Sequence, residues 1–121
     1  MATFSKVLLS GSSQGKGIKV VATSTPGTTI HATGVSATIF DEVYLFAVNS
    51  DSSDRKLTIE FGGTSSPDNL IELTIPAESG LMVVVPGLSI NGTGAAATTI
   101  AAFAAAANVV MVYGFCNRII P

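Results

Sequence analysis

The chain has 121 residues, of which 47% are hydrophobic and only 12% charged, with a formal net charge of −2. That is enough length for one domain with a real core but not for two, and the charged share is about half that of an ordinary globular protein. Six lysines and arginines scattered from Lys6 to Arg118 are too few and too dispersed to replace the counterions of a nucleic-acid backbone or to hold an anionic membrane, so neither is an expected partner.

The N-terminal Met-Ala-Thr-Phe-Ser-Lys lacks the basic region and apolar stretch of a secretory signal. Phe4–Ser10 reads as a short strand and Gly11–Gly17 as a flexible turn, so that residues 1–17 form a flexible N-terminal arm on a single domain spanning 1–121. Ile18–Thr23 begins with alternation, placing Ile18, Val20 and Ala22 on one face. Ser24-Thr-Pro-Gly27 is a turn, and the Thr-rich run Thr28–Thr33 suits a half-exposed strand.

Phe40–Asn49 is the strongest strand of the first half. Val43, Leu45 and Ala47 share one face and Tyr44, Phe46 and Val48 the other, so it belongs in the middle of a sandwich or at an interface. After the polar loop Asn49–Asp54, Lys56, Thr58 and Glu60 alternate with Leu57, Ile59 and Phe61, which predicts a strand wet on one side and paired with its predecessor in a hairpin. A second polar loop, Gly62–Asn69, leads to strands at Leu70–Ile75 and Leu81–Val85, the latter stopped by Pro86-Gly87.

From Ser79 to Asn117 there is no Asp, Glu, Lys or Arg. The alanines of Ala95–Ala107 favour helix, but Thr98, Thr99 and Ile100 are β-branched and strands flank the run, so a strand over about Thr98–Ala104 is expected, then a tight turn at Asn108. In the last strand, Val109–Cys116, both faces are apolar. Asn108 and Gly114 within Ala95–Cys116, and the weak hydrophobicity of alanine, argue against a spanning helix. The sum is an all-β, antiparallel sandwich or jelly roll of about eight strands. With so few charges, such a domain is expected to hide apolar surface against copies of itself.

Motifs with chemical meaning are few. Gly11-Ser-Ser-Gln-Gly15 matches the G-x-S-x-G elbow of hydrolases, but no helix follows, and the only histidine, His31, precedes the nearest acids, Asp41 and Glu42. Gly15-Lys16 fails as a phosphate loop, because Ser10 stands where glycine is required and Gly17 replaces the magnesium-binding hydroxyl. His31 reads as a partly exposed or hydrogen-bonded strand residue, the alternative being a ring of His31 around a symmetry axis that binds an ion or senses pH. The single cysteine, Cys116, reads as a small buried hydrophobe. Asn91-Gly-Thr93 matches a glycosylation sequon but reads as a turn. Asp51 and Asp54 lack the ligand density of a calcium loop. Glu60 and Glu72, at similar places in adjacent strands, could be compared with a glycosidase pair, but with no Trp in the chain they read as exposed charges that blunt the sheet. No enzymatic activity, catalytic residue, cofactor or metal ligand is expected.

Several segments together carry a resemblance: Ala2–Gly11, Gly17–Val20 with Thr25–His31, Phe40–Asn49, Arg55–Gly63, Pro76–Leu81 and Val112–Ile119. Their texture resembles small virion proteins of tailed bacteriophages, over nearly the whole chain and without a chemical motif. The resemblance implies a capsid decoration (cement) protein on the outer surface of the virion, made in the host bacterial cytoplasm, that bridges capsomers as a homotrimer. Its partners would be itself and the major capsid protein. Leu81, Val83, Val85, Val110, Val112 and Tyr113 are the expected oligomer or core positions, and Phe4, Val7 and Leu8 the capsid-contacting arm. A tail or head–tail accessory protein and a carbohydrate- or receptor-binding β module are the alternatives.

Overall fold

Period-two alternation is realised as nine strands: β1 (Thr3–Leu8), β2 (Ile18–Lys19), β3 (Thr28–Ala32), β4 (Phe40–Asn49), β5 (Arg55–Phe61), β6 (Leu70–Ile75), β7 (Met82–Asn91), β8 (Thr99–Ala104) and β9 (Val110–Ile120). The computed structural model describes residues 2–121, and among them there is no helix. The strands form two antiparallel sheets. A five-stranded sheet has the order β1-β9-β4-β7, with β2 also on β9, and a four-stranded sheet has the order β3-β8-β5-β6. β1 and β2 pair with successive stretches of β9, Phe115–Ile120 and Met111–Val112, so they are two halves of one interrupted strand. Only β5 and β6 are consecutive neighbours; every other connection after this split strand crosses from one sheet to the other. That order is the jelly roll, and the chain is a single all-β sandwich.

The core lies between the sheets. Val43, Leu45 and Ala47 from β4 and Val110, Val112 and Cys116 from β9 face Leu57 and Ile59 of β5 and Ile100, Ala102 and Ala104 of β8, all essentially without solvent contact. The solvent-accessible surface of 6144 Å² matches the ~6,100 Å² expected for a compact monomer of this mass.

Four sequence expectations are corrected. The β4–β5 hairpin does not form: β4 lies in the five-stranded sheet and β5 in the other. Asn49 holds this corner, donating from Nδ2 to the carbonyls of Ser53 and Ile75 and accepting from the Asp51 N–H. β7 does not stop at Pro86-Gly87 but runs on to Asn91, because it is an edge strand with two register shifts. One shift takes up Gly87 at φ 107°, where glycine is at home and the lost proline donor interrupts no second ladder. The strand at Ile18–Thr23 shrinks to Ile18–Lys19. The wet face expected on β5 holds at Lys56, which is exposed, but not at Thr58 and Glu60, which are both buried.

The Ala-rich segment is strand β8, and Asn108 turns with φ 67°. Its small side chains have a use. The Gly27 Cα rests on the Ala102 backbone so closely that an added Cβ would lie 2.6 Å from the carbonyl. The loop before β3 therefore folds down over the outer face of the four-stranded sheet, and this is what covers Glu60.

Candidate functional site

Three places carry chemistry. The first is a polar cluster inside one end of the sandwich. His31 is buried on β3, Asp41 on β4, and Arg118 lies opposite Asp41 on β9. The His31 ring bonds through Nε2 to Asp41 Oδ2 at 2.7 Å, while its Nδ1 accepts from the Ser10 N–H at 3.0 Å. Arg118 donates from Nε and Nη2 to the two Asp41 oxygens at 2.8 and 3.0 Å. With Nδ1 accepting, the imidazole proton sits on Nε2 toward Asp41. Burial pushes the Asp41 carboxyl up; the hydrogen bonds from Arg118 and His31, with the Arg118 charge, outweigh it and hold the group below its ordinary value.

Cys116 sits beside this cluster, its sulfur and the ligand atoms of His31 and Asp41 all within 4.8 Å of one another. Such a trio invites a metal reading, and the surroundings do not fit it. Asp41 is already saturated by a guanidinium fork, whose positive charge opposes a cation, and both imidazole nitrogens are occupied. Desolvation, then the Asp41 charge, push the Cys116 thiol up to about 12, far from the thiolate a metal takes. For the same reason His31 is no base for a serine: the ring is committed to Asp41 and to the β1–β2 loop. The cluster ties that loop, β3, β4 and β9 together.

The second place is the outer face of the five-stranded sheet. β4 contributes Tyr44, Phe46 and Val48, β9 Met111, Tyr113 and Phe115, and the edges add exposed Phe4, Leu8 and Val83. Tyr44 and Phe115 stack with centroids 5.0 Å apart, and the Lys6 ammonium lies 4.6 Å above the Phe115 ring. Glu42 is the acid on this surface, accepting from the Tyr44 hydroxyl at 2.8 Å and from Asn117. These bonds lower the Glu42 carboxyl and raise the Tyr44 phenol. Phe4 is 69% exposed and Val83 58%, so the face offers aromatic and aliphatic side chains to water, with the polar row Lys6, Asn117 and Glu42 separating Phe4 from the Tyr44–Phe115 pair.

The third place is a groove of about 400 Å³ on the outer face of the other sheet. Its floor is the cross-strand row Thr29, Ala101 and Glu60. The Glu60 carboxylate accepts from the Thr25 hydroxyl at 2.6 Å and from the Gly27 N–H at 2.7 Å.

The residues singled out from the sequence divide between these regions. Val85, Val110 and Val112 belong to the core. Val83 and Leu81 are exposed, and Tyr113 is half-buried on the outer sheet face, close under Gly17. Phe4, Val7 and Leu8 lie on β1, which pairs with β9 along its whole length, with the Phe4 and Leu8 side chains in solvent. Glu60 and Glu72 are not a pair: Glu72 is exposed and bridged to Lys56, and its partner across the ladder is Thr58. Asp51 binds Arg55, and Asp54 accepts from the Ala77 N–H. Of the two expectations for His31, hydrogen bonding holds and partial exposure does not, since the residue is fully buried.

The Asp41–Arg118 pair was not anticipated, although a signal existed. Asp41 is in phase with Val43, Leu45 and Ala47 on the inward face of β4, and an acid there requires a partner.

Comparison of the chain with known protein families and with curated proteins finds no match.

Proposed function

We propose that this protein is a structural component of a virus particle, a cement-type module that associates through the outer face of its five-stranded sheet, with itself and with a shell protein. The observation that carries the reading is that face: half-buried aromatic and aliphatic side chains from β9 and β4, with Phe4 and Leu8 of β1 and Val83 of β7 exposed at its edges. The jelly roll supports it by analogy, since viral capsid domains recur on this fold, as do lectins and cupins. The resemblance of the sequence to small phage virion proteins supports it independently. Association through many copies on a lattice multiplies a modest contact by avidity, and a rigid body with a dry core suits that task.

Two measurements test it. Sedimentation at micromolar concentration is expected to show a closed oligomer, and Val83→Asp together with Phe4→Asp to return it to monomer without loss of the β spectrum. A wild-type monomer would remove the self-association. Immunogold labelling of purified particles from the source phage is expected to decorate heads densely. Label on tails alone would move the protein to a tail accessory role, and none on intact particles would end the virion reading.

A further inference from the structure

Glu60 is chemically out of place. It is 2% exposed, and glutamates so deeply buried are normally paired with a cation. Asp41 has Arg118, Asp51 has Arg55 and Glu72 has Lys56. Among the described residues no lysine or arginine pairs with Glu60, and none lines the groove above it. Its donors among the described residues are neutral, the Thr25 hydroxyl and the Gly27 N–H.

We infer that the groove is a binding site for an organic cation, an ammonium or guanidinium group seated over the Glu60–Ala101–Thr29 row. The lining selects among ligand classes. An anion would meet a carboxylate and no positive side chain. A sugar would find no aromatic ring to stack on, since the walls are threonines, glycines, alanines and a proline. A hard metal ion needs six or more oxygens, and one carboxylate already holding two hydrogen bonds does not supply them. An organic cation needs less. One fixed carboxylate balances its charge, the Thr29 and Thr99 hydroxyls accept its N–H donors, and Ala97, Ala101 and Pro26 receive its methylene stem. The volume suits a long amine or one lysine or arginine side chain offered by a partner protein.

The test is an amide-resolved NMR titration of the full chain with putrescine, a capped lysine tripeptide, a capped arginine tripeptide and, as the neutral control, a capped glutamine tripeptide. Saturable shifts confined to residues 60–64 and 97–101, weakened by salt and absent with the neutral peptide, are expected. Glu60→Gln keeps the acceptor for Gly27 and removes the charge; it should weaken binding by at least about tenfold. Ala101→Val fills the floor without touching the Glu60 bonds and should weaken it comparably, which guards against Glu60→Gln acting only by loosening the loop. Tighter binding of the peptides than of putrescine assigns the groove to a protein side chain, and the reverse to a free amine. No saturable shift with any cation, equal binding of the neutral peptide, or wild-type affinity in both variants would overturn the site.

Discussion

Replacing Arg118 with methionine keeps an apolar stem on β9 and removes the fork that neutralises Asp41. Asp41 is 2% exposed in its side chain and Arg118 30%. Removing one partner of a buried pair costs about 3–5 kcal/mol, because the remaining charge is left without compensation. The partial exposure of Arg118 and the retained bond to His31 put this case at the lower end, about 3 kcal/mol. With a urea slope of about 1.5 kcal/mol/M, the unfolding midpoint at pH 7 should fall by about 2 M. The pH dependence is the sharper part. In the wild type the folded Asp41 carboxyl lies below its unfolded value, burial notwithstanding, because of Arg118 and His31. Its contribution is therefore complete above the unfolded pKa of about 4 and lost as pH falls through the folded pKa. In Arg118→Met burial is offset only by the His31 bond, the folded pKa moves up, and the penalty present at neutral pH is relieved as the carboxyl protonates. The gap between wild type and variant should thus be widest near pH 7 and shrink below about pH 4. Urea unfolding of both proteins at several pH values measures it. A gap under about 1 kcal/mol at neutral pH, or one that acid leaves unchanged, would refute the account of the cluster as a charge-compensated tie.

Gly114→Ala should be among the most damaging small substitutions. Gly114 faces Leu45 in the central β4–β9 ladder with φ 156°, and an added Cβ lands on the Tyr44 carbonyl oxygen, a backbone atom that cannot swing away. A loss of about 2–4 kcal/mol is expected in chemical denaturation, and a thermal midpoint equal to wild type would contradict it. Cys116, buried and with its thiol pushed up to about 12, should resist a disulfide reagent at pH 8 in the folded protein and react at once in denaturant; stoichiometric labelling of the native state would show that the site opens.

Much of the architecture is legible locally. Alternation in Phe40–Asn49 and in Val109–Cys116 marks two strands apolar on both faces; the structure places them side by side at the centre of the five-stranded sheet and extends the second to Ile120. The β-branched Thr98-Thr-Ile100 outweighs the alanines around it, and in the resulting strand β8 the Gly27 loop lies directly on the Ala102 backbone. Period two says which way a side chain points relative to its neighbours in the chain, and that much needs no partner.

What alternation cannot say is which surface lies opposite. In a jelly roll most connections cross between sheets, so sequence neighbours such as β4 and β5 part company while Asp41 meets Arg118 across 77 positions. Glu60 has the pattern of a wet residue and becomes dry because Thr25 and Gly27, more than thirty positions away, close over it. The sequence by itself determined the strands, their faces and the scarcity of charge that leaves one sheet apolar on its outside. Only the tertiary structure decided which charges are paired, which buried acid is left without a cationic partner among the described residues, and where apolar side chains open to solvent, because each depends on long-range contacts that no local period encodes.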